Sequence, residues 1–466
     1  MVFSSVPFLF YFLPIFLVAY AATPTIRGKN LTTLLFSLVF YAWGEPRFVI
    51  VLLASIAANW AAALAIDGAS GTTRRILLAL AVSANLLLLI VFKYAGFLSA
   101  IVAEFLHPLG LGIKVVSLPL PLGISFFTFH CLSYLIDVYR RRFVANRDPV
   151  EVALYIALFP QLIAGPIVRY KTVARQLRVR RHTLACASAG ARIFIIGLAQ
   201  KVLIADQIAT LADTVFDHTT VPTLAEAWTG LLAYTIQIYF DFAGYSSMAV
   251  GLGLCLGFSL PRNFRLPYSS GSVTAFWRRW HMSLSSWLRD YLYIPLGGSR
   301  GPAWQTWRNL FSVFLLCGLW HGASWNFVAW GAWHGGFLAA ERAGLGRFLA
   351  RLHGVVGWVY AMGVVMGGWV LFRAHDLSHA GTFWGGLIGL HGSRMGFDTH
   401  AALRPVVMVA LLAGVVLSVA PRWIPVPRLP QPMYAICDTA WTFALLASAM
   451  SWVAAGGYSP FLYFRF

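Results

Sequence analysis

The chain has 466 residues, 59% of them hydrophobic and only 11% charged, against about 25% charged in soluble domains. A mean hydropathy of +0.72 excludes water as the main solvent, so the expected fold class is an all-α polytopic membrane protein. The net charge of +19 raises nucleic acid as a partner, but the basic residues sit between apolar runs. That is the pattern of membrane-face loops, which need no nucleic acid to explain them.

Apolar runs at residues 8–22, 48–66, 76–92 and 406–420 reach or approach the roughly 18 to 20 residues that cross a hydrocarbon core of about 30 Å. Backbone in lipid must satisfy itself internally, as helix or closed barrel, and these runs lack the alternation of barrel strands. The expectation is a bundle of roughly ten to twelve spanning or partly spanning helices, with re-entrant or interfacial helices among them. The first apolar run has no basic segment before it and no small-residue cleavage site, so it reads as a retained helix. The positive-inside bias gives a consistent walk. The N-terminus lies outside, Arg27 inside, Gly44-Glu45-Pro46 outside, Arg74 inside, residues 105–116 outside and Arg140 inside. The whole chain, 1–466, is expected to form one integral membrane domain. Its five cysteines are scattered and odd in number, which suits packing rather than disulfides or metal.

The apolar pattern breaks at residues 140–182 and 261–308, where arginines mix with aromatics and prolines. Loops this rich in tryptophan, tyrosine and phenylalanine are poorly suited to water. They are expected to dip into the membrane or lie along its inner face. Within residues 272–293, Val273, Phe276, Trp277, Trp280, Leu284, Leu288 and Tyr291 recur at helical spacing, which predicts one amphipathic helix. Ser272 is its expected cap, and His281 falls on the apolar stripe. Arg278 and Arg289 fall off it.

The next segment, 310–340, is almost wholly apolar and holds Gly318-Leu319-Trp320-His321-Gly322. If helical from Leu310, it places His321 about 16 Å deep, near the bilayer centre. Ionisable groups there mark functional sites or aqueous cavities, although depth alone equally allows a neutral histidine hydrogen-bonded within the bundle. On the same continuous helix His334 would face the opposite side, about 20 Å away, and reads as structural or as a support behind the reacting groups. Gly297-Gly298-Ser299-Arg300-Gly301 matches a nucleophile elbow in letters only, since a strand should precede it. Asp241 reads as a helix-packing or cavity carboxylate, and Asp137 as an interfacial partner for neighbouring arginines. No metal-ligand set or phosphate loop is present in the sequence.

Several long segments stand out. They include Leu120-Pro121-Leu122-Gly123-Ile124-Ser125-Phe126-Phe127 and Phe159-Pro160-Gln161-Leu162-Ile163-Ala164-Gly165-Pro166. Others are Gln237-Ile238-Tyr239-Phe240-Asp241-Phe242-Ala243-Gly244-Tyr245-Ser246 and Gly318-Leu319-Trp320-His321-Gly322. The most specific is Phe276-Trp277-Arg278-Arg279-Trp280-His281-Met282-Ser283-Leu284-Ser285. Together they resemble the membrane-bound O-acyltransferase (MBOAT) family, in particular its bacterial alginate O-acetylase branch. The motif-rich core spans about residues 118–340. Ser247 departs from the branch, which commonly has Asp there.

The resemblance implies the family's bundle, a catalytic histidine at His321 and a second functional polar position at His281. It further implies acetyl-CoA as acyl donor, not permanently bound, with Arg278, Arg279 and Arg289 (and Arg300 and Arg308 beyond them) lending positive potential to its phosphates. Solvated inner-face arginines are the plainer reading of those residues. The implied setting is the bacterial inner membrane, with a polysaccharide acceptor such as alginate and a secreted or periplasmic acetyltransferase as partner. Another envelope polymer, D-alanylation of teichoic acid, or a non-catalytic transporter or scaffold are the rival functions.

Overall fold

The computed structural model describes residues 1–419, 431–456 and 461–462. Among them every regular element is helical. Five helices are long and apolar enough to cross a membrane, and three shorter apolar helices accompany them. The run expected at 406–420 is the helix Pro405–Val419, with residue 420 outside the described residues. Two compact units emerge, Met1–Phe194 with Met248–Pro261, and Ile195–Ser247 with Arg262–Phe466.

The first unit contains α1 (Pro7–Ala22), α2 (Ile26–Gly44), α3 (Val49–Gly68), α4 (Gly71–Leu89), α5 (Ala95–Leu106), α6 (Ile124–Tyr139), α7 (Pro149–Ala157) and α8 (Tyr170–Arg178). Its helix starts are written in the sequence. The Thr25 hydroxyl accepts from Gly28 N at 3.0 Å. The Asp148 carboxylate accepts from Val150 N at 2.8 Å, just ahead of Pro149, a residue suited to a first helical turn. Between α3 and α4, Asn59 and Asn85 exchange amide hydrogen bonds at 2.8 and 3.2 Å. This is the kind of polar pair that holds helices together where lipid offers no hydrophobic drive.

The segment after α7 turns inward as its composition predicts. Phe159 is fully buried and its ring meets Phe8, Phe12, Phe16 and Phe40 at 5.2–6.3 Å. Arg180, one of the loop arginines, also turns in. It donates to Asn30 Oδ1 at 2.7 Å and lies 4.4 Å over the Phe258 ring. Asp137 pairs with Arg142 at 3.0 Å.

The division between the units falls within α9 (Leu184–Ala199) and α11 (Leu224–Cys255), which flank α10 (Asp206–Asp213). The second unit continues with α12 (Val273–Trp277), α13 (Met282–Leu288), α14 (Ala303–His321), α15 (Trp325–Ala340), α16 (Gly354–Arg373), α17 (Leu377–Leu387), α18 (Phe397–Ala402), α19 (Pro405–Val419) and α20 (Gln431–Ala454). Two ion clusters brace it, the first of them buried throughout. Lys201 lies 2.5 Å from Asp206 and 2.7 Å from Asp241, with all three side chains at most 5% exposed. Arg373 reaches Asp213 at 2.9 Å and Asp217 at 2.5 Å. Charges taken this far from water persist only when paired.

Candidate active site

The site is built on the hairpin of α14 and α15. The expected single helix over 310–340 is interrupted: α14 ends at His321, Gly322 is extended, and α15 begins at Trp325. The chain therefore folds back, and the thirteen residues between His321 and His334 do not separate them onto opposite faces of one rod. Both imidazoles lie against Trp330, with ring centroids 5.1 Å and 4.9 Å from it. His334 is thus beside the catalytic candidate rather than remote from it.

Close packing of this hairpin depends on glycine. A Cβ on Gly331 would sit 2.5 Å from the Phe314 carbonyl oxygen and 2.9 Å from Leu315 Cα, both backbone atoms that cannot step aside. Gly331→Val is expected to lower the unfolding midpoint through an overpacking cost of at least about 1–3 kcal/mol. Transfer activity should fall with it, as thermal unfolding and an acyl-transfer assay on the purified protein would show.

His321 is 7% exposed and is boxed by Trp320 at 4.8 Å, Trp330 at 5.1 Å and Phe372 at 5.2 Å. His334, fully buried, accepts from the Trp277 indole N–H at Nδ1 across 3.4 Å. That bond selects the tautomer with the proton on Nε2.

The helix expected over 272–293 is also broken. It starts as predicted, with the Ser272 hydroxyl accepting from Ala275 N at 3.0 Å. Glu341 adds a carboxylate that accepts from Val273 N at 2.7 Å and Thr274 N at 2.9 Å, complementing the positive end of α12. The break comes at His281, whose φ of +42° is left-handed and costs a non-glycine residue about 1–2 kcal/mol. Asn263 holds the turn by accepting from Met282 N at 2.9 Å and Ser283 N at 3.2 Å.

The turn keeps the His281 ring buried, as its place on the apolar stripe predicts, with 1% exposure. It packs edge-on to Phe242 at 4.7 Å and faces Trp320 at 6.2 Å. Neither ring nitrogen has a hydrogen-bond partner among the described residues. A buried imidazole with both nitrogens unsatisfied is costly unless something else binds there. His281 and His321 thus both contact the Trp320 ring, so the two candidates proposed from separate motifs share one wall.

The arginines divide. Arg278 and Arg289 line one cavity of about 530 Å³, whose wall includes Trp277, Met282, Phe314 and Cys317. Cys317 lies one helical turn before His321. The Arg278 guanidinium has no hydrogen-bond or ion-pair partner among the described residues, whereas Arg289 pairs with Asp290 at 2.7 Å. Arg279 lines a different cavity, of about 340 Å³, beside Arg265, and donates to Ser269 Oγ at 2.8 Å. Arg308 is engaged with Asn309 and lies over Trp304.

Ser299 sits in an exposed turn against the Tyr293 hydroxyl at 2.9 Å, with no strand before it. Asp241 is the buried partner of Lys201 and also accepts from Leu462 N at 2.8 Å. Sequence reasoning gave no role to Phe461, which stacks on Tyr245 at 4.7 Å and approaches Phe242, the ring packed on His281. Its only signal was an aromatic-rich final segment.

The sequence matches the MBOAT, membrane-bound O-acyltransferase family over residues 35–372. It is 41% identical to the "Probable alginate O-acetylase AlgI" of Azotobacter vinelandii and 42% identical to that of Pseudomonas putida, in each case across the full length of both chains. It is 36% identical to the "Peptidoglycan O-acetyltransferase" of Helicobacter pylori, over 84% of this chain and 80% of that protein. The chain belongs to the membrane-bound O-acyltransferase family, and is an O-acyltransferase embedded in the membrane by multiple helices.

Proposed function

We propose that the protein moves acetyl groups from cytoplasmic acetyl-CoA toward an extracytoplasmic polysaccharide of the alginate type. The reading sets it in the bacterial inner membrane with its N-terminus on the periplasmic side and a secreted acetyltransferase completing delivery. The full-length likeness to proteins named as alginate O-acetylases supports the acceptor class. The single observation that carries the site is the pair of buried imidazoles on Trp320, one of them with neither nitrogen partnered among the described residues.

In the proposed reaction the acceptor hydroxyl oxygen attacks the thioester carbonyl while His321 takes the hydroxyl proton. The new C–O bond forms, the C–S bond breaks, and the proton passes to the departing thiolate. His281 donates to or orients the carbonyl oxygen as charge develops on it. Arg278 and Arg289 hold the donor's phosphates at the cavity rim, and the apolar wall toward Cys317 receives its uncharged arm.

The test is a kinetic split. Arg278→Ala and Arg289→Ala are expected to raise KM for acetyl-CoA about tenfold each, the value of a charge-assisted hydrogen bond, with little change in kcat. Arg279→Ala should leave KM unchanged. Equal effects from all three variants would remove the assignment of this cavity to the donor.

A further inference from the structure

The first unit holds a second concavity that the reaction above does not use. It has a volume of about 790 Å³ and lies between the irregular segment 143–148 and α8. Its floor is fixed. Asn146, 4% exposed, donates to the Tyr170 hydroxyl at 2.8 Å, its carbonyl accepts from Trp60 Nε1 at 3.1 Å, and its N–H donates to the Tyr134 hydroxyl at 2.9 Å.

Three arginines, Arg147, Arg175 and Arg178, line the space above this floor. Arg178 is partly committed, to Glu151 at 3.1 Å and Asn146 Oδ1 at 3.3 Å. Arg147 and Arg175 are exposed, and neither guanidinium has a hydrogen-bond or ion-pair partner among the described residues. Asp148, the one carboxylate among the described lining residues, is occupied in capping α7.

The rim is unlike that of a pocket for a soluble anion. Val144 and Val179, both lining residues, are 73% and 65% exposed. α8 is amphipathic, burying Tyr170, Val173 and Leu177 while its arginines face outward. Guanidinium groups beside bare aliphatic side chains match the boundary of a bilayer, where phosphate and hydrocarbon lie next to one another. A free phosphate would engage the arginines and leave the valines unexplained.

We propose that this concavity binds the phosphate headgroup of an anionic phospholipid, with Arg147 and Arg175 on the phosphate and Val144 and Val179 against the first methylenes of the acyl chains. The rigid floor makes it a shaped site rather than a diffuse basic surface.

The test uses the full-length protein in detergent, titrated with phosphatidylglycerol or phosphatidylcholine, with bound lipid counted by native mass spectrometry. Phosphatidylglycerol should be retained in preference. Arg147→Gln/Arg175→Gln should weaken its retention about thirtyfold, the contribution of two basic residues at an anionic surface, without moving the lipid-free unfolding midpoint. Val144→Ser/Val179→Ser should weaken lipid retention as well, while leaving any binding of glycerol phosphate unaltered. Undiminished phosphatidylglycerol retention by the arginine variant would overturn the proposal. So would glycerol phosphate displacing the lipid at equal concentration, since the ligand would then be a soluble phosphate.

Discussion

His321→Gln is expected to reduce acetyl transfer about a thousandfold, within the 10²–10⁴ range of a lost general base, while the protein accumulates and unfolds as the native chain does. The substitution keeps a polar, similarly sized side chain inside the box of Trp320, Trp330 and Phe372, so packing is largely retained and proton transfer is not. KM for the donor should stay near its native value, because the role proposed for the imidazole lies in the attack of the hydroxyl and not in donor binding. His281→Ala should also reduce kcat strongly, by less than His321→Gln if it stabilises charge rather than carrying the proton. A histidine that merely filled space would give the opposite result. His321→Gln would then be nearly neutral in rate, and only the alanine variant, which leaves a void, would unfold at lower temperature.

The largest stability effect should come from Lys201. Lys201→Met leaves Asp206 and Asp241 facing one another with at most 5% exposure and no cation between them. Breaking a buried pair from one side costs about 3–5 kcal/mol, enough to deplete folded protein from the membrane. Lys201→Met combined with Asp241→Asn should recover part of that loss, since one of the stranded charges is removed with its partner. Comparing unfolding midpoints of the two variants checks this. If Lys201→Met unfolded at the native temperature, the cluster would carry no weight in holding α10 and α11 together. Asp241 also receives the Leu462 N–H, so the same variants should loosen residues 461–462, read as faster amide hydrogen exchange at Leu462.

What was legible in the sequence follows from what local pattern encodes. Lengths of apolar runs reflect bilayer thickness, and the predicted spans fall on α1, α3, α4 and α19 with small shifts at their ends. Ser272 announces a helix start because a short polar side chain can reach the free N–H groups of the first turn. The failures are of another kind. The turn at His281 sits in an unbroken helical pattern with no glycine or proline, and is imposed by Asn263 from a separate strand of chain. The reversal between α14 and α15 was hidden by Gly322, which also fits inside a close-packed helix. Missing it placed His334 far from His321 when both rest on Trp330. The arginines formed one group in sequence, yet the neighbours Arg278 and Arg279 line different cavities. Glu341 and Phe461 reach their places only through tertiary packing, and no local rule points to them.

The most direct measurement of the central claim is label transfer in sealed membrane vesicles that also carry the proposed polysaccharide acceptor and the proposed secreted partner. Acetyl-labelled CoA is supplied on the cytoplasmic face, and label on the polymer is counted over a single turnover. Vesicles with the native chain should acetylate the polymer, and vesicles with an equal amount of His321→Gln should leave the label on CoA. Polymer labelled at the native rate by the His321→Gln chain would contradict the account, because the hydroxyl proton would then be leaving by a route that does not involve this imidazole.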